Sequence, residues 1–184
     1  MSPIIWILIA LLILIAIIFI GYFNRFSVLK RRIENSLAQI DVQLKKRADL
    51  VPNLVETVKG YAKHEKGIME KVTEARKALV GAKDIVGRMK AGNQLANAIG
   101  KLFAIAENYP QLKANENFLQ LQQELAAIED KIAYSRQYYN DSILSYNTVC
   151  TTFPGNFFAG IYGKKSEKFL EIPAAEKAVP KISF

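Results

Sequence analysis

Residues 4–20 read IIWILIALLILIAIIFI, a run with no charge and, apart from the Trp6 indole, no hydrogen-bonding side chain. A helix built from it is apolar on every face and has no polar side to turn to water. At ~1.5 Å per residue, about 20 apolar residues match a hydrocarbon core of ~30 Å. Gly21, Tyr22 and Phe23 extend the run towards that length. Each Ile, Leu or Phe favours insertion by roughly 0.3 to 0.6 kcal/mol at the bilayer centre. Ile4, Trp6, Leu12, Ile20 and Tyr22 are therefore expected to mark a membrane-spanning helix, residues 1–23, which places the rest of the chain at a membrane.

A cleaved secretory signal would need a basic start, an apolar stretch of about 7–15 residues and a small-x-small cleavage site. Met1-Ser2-Pro3 carries no Lys or Arg, and Gly21-Tyr22-Phe23-Asn24-Arg25 offers no such site, so an uncleaved anchor is expected. Arg25, Lys30, Arg31 and Arg32 form a basic collar directly after the run. The positive-inside rule then predicts an outside N-terminus and a cytoplasmic C-terminal part. With no second comparable apolar run, one span in the cytoplasmic membrane of a cell is expected.

The residues beyond the anchor suffice for one domain with a real core. A single cysteine, Cys150, excludes an internal disulfide. The net charge of +8 gathers at Lys30-Arg31-Arg32, Lys45-Lys46-Arg47 and Lys164-Lys165. Interspersed acidic residues and the lack of a reader motif argue against nucleic acid; solvated helix faces and anionic lipid account for the excess.

Residues 24 to about 80 have a helical period. Phe26, Ile33, Ile40, Leu54, Tyr61 and Ile68 occupy one seam position, and Leu37, Leu44, Val51, Val58 and Val72 the other. This is the spacing of a coiled-coil or bundle seam. Lys30, Arg47 and Glu65 interrupt it. Pro52 lacks an N–H and its ring crowds the carbonyl of Ala48, so a kink or break is expected near Leu50. Gly81, Gly87 and Gly92 predict a break between 80 and 93. A second helix with the stripe Leu95, Ile99, Leu102, Phe103 and Ala106 is expected to end near Asn108, before the turn at Tyr109-Pro110. Asn115 and Asn117 are candidate N-caps for a third helix over about 117–151, with Gln120 placed for a capping box with Asn117. Phe118, Leu121, Leu125, Ile128, Ile132, Ser135, Tyr139, Ser142, Tyr146 and Val149 form its seam. The bundle thus covers 24–152. Residues 153–184 read as an irregular tail with one short helical turn near Asn156 to Ile161. Its Phe157, Phe158, Ile161 and Tyr162 must dock on the bundle or enter the membrane interface. The fold class expected is all-α.

Three stretches carry a resemblance: IDVQLKKRADLVPNLVETVKGYAKHE at 40–65, ENYPQLKANENFLQLQQEL at 107–125 and IAYSRQYYNDSILSYNT at 132–148, followed by Phe153-Pro154. They resemble the LemA family of bacterial single-span membrane proteins. The resemblance implies an antiparallel α-helical bundle behind one transmembrane helix, in the bacterial cytoplasmic membrane with the N-terminus outside. It implies no chemistry, because the family has no generally established activity. Some relatives are associated with magnetosome membranes, and family genes often lie near genes for membrane metalloproteases.

The residues themselves point away from catalysis. His64 sits among charges in Lys63-His64-Glu65-Lys66 and reads as a solvated residue. Cys150 borders a core position and reads as an inert thiol. There is no HExxH or CxxC, and Glu56, Glu65, Glu70 and Glu74 lack the Glu-x-x-His pairs of di-iron bundles, so neither metal nor cofactor is expected. No phosphate loop or small-molecule site is identified. Asn115, Asn117, Gln122 and Tyr138, from an amide-rich stretch and a Tyr/Arg band, form a candidate interaction surface, set against capping and bundle packing as the plainer roles. The function expected is a non-enzymatic scaffold or adaptor whose partners are membrane lipid and a protein or a second copy. The alternatives are a self-assembling membrane organiser and a regulator of a membrane enzyme such as a protease.

Overall fold

The computed structural model describes residues 3–170, and the expectations for 171–184 and for Met1 and Ser2 lie outside it. Six helices follow one another: α1 (Pro3–Tyr61), α2 (Lys66–Gly81), α3 (Ile85–Ala106), α4 (Pro110–Lys113), α5 (Glu116–Thr151) and α6 (Gly155–Ile161). The described residues contain no strand, so the protein is all-α. Contacts divide the chain into two compact units, an anchor unit of Met1–Ser36 with Gln137–Phe184 and a bundle unit of Leu37–Arg136.

Within the bundle unit four helical segments alternate in direction. Arg76 of α2 reaches back to Ala48 of α1. Arg88 and Gly92 of α3 meet Asp41 and Arg47 of α1, in the same order along both helices. Glu129 and Asn115, on and just before α5, meet Arg47 and Tyr61 in reverse order. The result is an antiparallel bundle of α1, α2, α3 and α5, with α4 as a turn before α5.

The expected break near Leu50 is absent, because α1 runs through Pro52. Proline removes the N–H that would bond the carbonyl four residues earlier. That carbonyl, Ala48 O, instead accepts from Arg76 Nε at 2.7 Å. The helix breaks over 62–65 instead, between Gly60 and Gly67, each of which costs helix about 1 kcal/mol. The break before α3 falls inside the expected window, and Asp84 caps α3 by accepting from Gly87 N at 3.0 Å. Of the two N-cap candidates for α5, Asn115 is used, its Oδ1 accepting from Phe118 N at 3.0 Å. The Asn117–Gln120 capping box does not form; Gln120 Nε2 donates to Glu124 instead.

All ten seam residues expected on α5 are buried, together with Ile143. On α1 the seam shifts slightly: Leu37 is only half-buried and Tyr61 exposed, while their neighbours Ser36 and Ala62 are buried. Ser36 keeps its hydroxyl satisfied by donating to the Arg32 carbonyl at 2.7 Å. Each polar interruption of the seam is a contact to another segment. Lys30 pairs with Glu167, Arg47 with Glu129, and Glu65 accepts from the Tyr109 hydroxyl at 3.1 Å.

In the anchor unit α1 and the end of α5 run antiparallel. Phe26, Leu29 and Ile33 are buried, as are Ile143, Tyr146 and Val149. The Phe26 and Tyr146 rings meet edge to face at 6.0 Å. Beyond Thr151, across a cis Phe153–Pro154 peptide, the chain hooks back through α6 onto α1.

Candidate functional site

One end of the anchor unit is built from the apolar run, the basic collar, the hook and the segment that follows it. Residues 3–18 are exposed throughout, Ile4, Trp6 and Leu12 among them, and Ile20 is exposed too. One described helix is long and apolar enough to cross a membrane, and its apolar window is wholly unburied. Tyr22 differs: it is half-buried, with its ring stacked on Phe158 at 4.3 Å.

The collar is not uniform. Lys30 Nζ lies 2.6 Å from Glu167 Oε1, so its charge is compensated. Arg25, Arg31 and Arg32 are exposed and form no ion pair among the described residues. Arg25 and Arg32 lie seven residues apart, on one helix face. They edge a groove of about 720 Å³ whose far wall is Leu144, Ser145 and Thr148 of α5.

The hook has one close-packed side. Phe158 sits edge-on to Phe19 at 5.0 Å. Tyr162 packs edge-on against Phe19, Phe23 and Phe26, and its hydroxyl donates to the Phe19 carbonyl at 2.7 Å. Gly155 passes so close to α5 that a Cβ there would collide with the Val149 carbonyl. Gly163, at φ +63°, closes α6: its N–H bonds the Gly160 carbonyl and the Lys164 N–H bonds that of Ala159. This is the Schellman ending, which calls for glycine at the left-handed position.

The chain then runs back along α5 as a strap held by two asparagines. Asn147 Oδ1 accepts from Glu167 N at 2.8 Å while its Nδ2 donates to Glu167 O at 2.9 Å. Asn140 holds Leu170 in the same two-point manner, at 3.0 and 3.2 Å. The spacing explains the fit. Seven helical residues rise ~10.5 Å and three extended residues span ~10 Å. Asn140, Asn147 and Glu167 carried no individual signal in the sequence. The spacing of the two asparagines was the available clue.

Burial governs the titratable groups beside the strap. It pushes Tyr146 up to about 12, with the Cys150 thiol and Glu167 carboxylate adding to the shift. Tyr139 is raised mainly by burial and then by Glu167. Burial also raises Cys150, against a lowering hydrogen bond from Tyr146. A thiol held protonated is a poor nucleophile. His64 is exposed in the 62–65 turn of the bundle unit, whereas Cys150 belongs to the anchor unit. In the bundle unit Arg47 is only 2 % exposed, donates to Gly92 O at 3.1 Å and pairs with Glu129. Desolvation lowers it to about 10, so it remains cationic at neutral pH.

The four residues of the candidate interaction surface have separate roles. Asn115 is occupied twice, as the cap of α5 and as a donor to the Tyr61 hydroxyl at 3.0 Å. Asn117 and Gln122 are exposed, and each lines a different shallow groove of the bundle unit. Tyr138 is half-buried and belongs to the anchor unit.

Several known proteins are similar to this chain in sequence. The magnetosome protein MamQ of Magnetospirillum gryphiswaldense is 27 % identical, over 85 % of this chain and 68 % of its own length. Magnetosome protein MamQ 2 of Paramagnetospirillum magneticum is 26 % identical with the same coverage. Protein LemA of Metamycoplasma hominis is 27 % identical, over 77 % of this chain and 65 % of its own length. Residues 36–184, from the collar's end onward, match the LemA family, and with most of the chain so covered the protein belongs to that family.

Proposed function

We propose that this chain is a single-span membrane protein with its N-terminus outside, whose bundle acts as a non-enzymatic scaffold or adaptor at the cytoplasmic face. The observation that carries this reading is the apolar run of α1, exposed from residue 3 to 18 and followed by three arginines without ion pairs among the described residues. Uncompensated cations beside a span favour the anionic cytoplasmic leaflet, by about 1 kcal/mol per residue near the surface. The non-catalytic part of the proposal draws on a thiol kept protonated by burial and a single solvated histidine in the other unit. Gln122 and Asn117, exposed on the bundle, are the faces offered to a partner.

In-cell photocrosslinking of the full chain tests the adaptor role, with probes at Gln122, Tyr134 and Phe157. Recurrent capture of one other protein from Gln122 or Tyr134 is the expected result. Crosslinks from those two positions to the chain itself alone would replace the adaptor by a self-assembling organiser.

A further inference from the structure

The hook has a second side. Phe158 and Ala159 are buried, but Phe153 is 86 % exposed, Phe157 60 % and Ile161 51 %. Three large apolar side chains in so short a segment are costly in water. Their depth is set by what the buried side touches. Phe158 and Tyr162 rest on Phe19, Tyr22 and Phe23, the last residues of the apolar run. If that run fills a hydrocarbon core, α6 lies where the core meets the headgroups, continuous with a surface already in lipid. Its charge pattern suits that depth. Residues 153–163, FPGNFFAGIYG, carry no ionisable group other than Tyr162. Lys164 and Lys165 follow at once, exposed and without ion pairs among the described residues, as residues that reach towards lipid phosphates do.

We propose that Phe153 and α6 form a second, non-spanning membrane contact. Phe153, Phe157 and Ile161 insert into the leaflet that adjoins residue 20, while Phe158 and Tyr162 hold the hook beside the span. This does not depend on which leaflet that is. It does rest on the reading of 4–20 as a span, so the experiment monitors both.

The full chain is reconstituted into vesicles of phosphatidylcholine and phosphatidylglycerol, with or without lipids brominated at a shallow acyl position. Trp6, the only tryptophan, reports on the span. A W6F/F157W chain reports on the hook, and W6F/Y134W, at an exposed position of the bundle unit, is the aqueous control. The expected result is that W6F/F157W loses emission to brominated lipid and is shielded from acrylamide, whereas W6F/Y134W behaves oppositely. W6F/I161W repeats the reading from the next turn of α6, so one poorly folded variant does not decide the matter. Acrylamide quenching of both hook tryptophans without bromine quenching, while Trp6 is quenched by bromine, would overturn the proposal and leave the span intact. Shielding of both from either quencher would overturn it too, by pointing to a second copy as the cover. Trp6 insensitive to bromine would sink the span reading itself.

Discussion

Single side chains explain where this chain departs from simple periodicity. Pro52 should end a helix, yet the carbonyl it orphans is taken by Arg76. The exchange predicts a coupling. Arg76→Ala should cost about 1–3 kcal/mol, the range for losing a charged donor to a sheltered carbonyl. In a Pro52→Ala background the new N–H satisfies Ala48, and the same change should cost less, by about 1 kcal/mol. Urea unfolding of the detergent-solubilised chain, followed by circular dichroism, measures all four corners of the cycle. Equal costs in both backgrounds would show that Arg76 is not the substitute donor. Tyr146 makes a different prediction, in pH. Its folded-state value of about 12 lies above the ~10 of an unfolded tyrosine. Its contribution is therefore complete below pH ~10 and is lost as pH climbs through the folded value. Tyr146→Phe should flatten the alkaline fall in thermal stability. Arg47, lowered to about 10 by desolvation, moves stability in the opposite direction over the same window. The difference between the Tyr146→Phe and parent curves therefore carries the test.

Among the elements, α5 contributes buried side chains to both units. Its buried face was readable except for Ile143, because a long helix repeats its pattern many times and Phe118 to Val149 stay in phase. The end of α1 was not readable. Ile68 and Val72 keep the phase of the residues before the 62–65 turn, so periodicity alone joins α1 to α2. The strap was equally hidden, because its holding contacts are side chain to backbone across about 20 to 30 residues of chain. It predicts that Asn147→Ala will loosen residues 164–170. Amide exchange at Glu167 and tryptic cleavage after Lys165 and Lys168 should both accelerate, with a local cost of about 1–3 kcal/mol. Asn147→Asp retains the acceptor for Glu167 N–H but loses the donor, and should fall between the two. Unchanged exchange in Asn147→Ala would mean that Lys30 and Asn140 suffice to hold the strap.

For the molecule as a whole, the issue is how the proposed span is oriented and what its collar does. Replacing Arg25, Arg31 and Arg32 together by Ala should weaken the orientation bias while leaving resistance to salt and carbonate extraction unchanged. Reporter fusions at either end, read in the parent and variant chains, measure the bias. Release of the triple variant by salt would show that the chain is held by charge and not by insertion. Lys30→Ala should behave differently from the other three. Its ammonium is committed to Glu167, so the change should register in the strap before it registers in orientation.

The amino-acid sequence determined what depends on composition and period: an apolar run too long for a soluble surface, a family kinship, an all-α class and the buried faces of long helices. These follow from transfer free energy and from the 3.6-residue repeat, both of which are local properties. Only the tertiary structure decided which interruptions were tolerated. Whether Pro52 ends a helix depends on a guanidinium 24 residues away, and whether Lys30 is a free collar charge depends on Glu167. Phe157 and Phe158, adjacent and both apolar, part company for the same reason, since only one of them meets Tyr22 and Phe19. A partner brought in from far along the chain leaves no periodic trace, because its position is set by how the helices pack and not by the residues beside it.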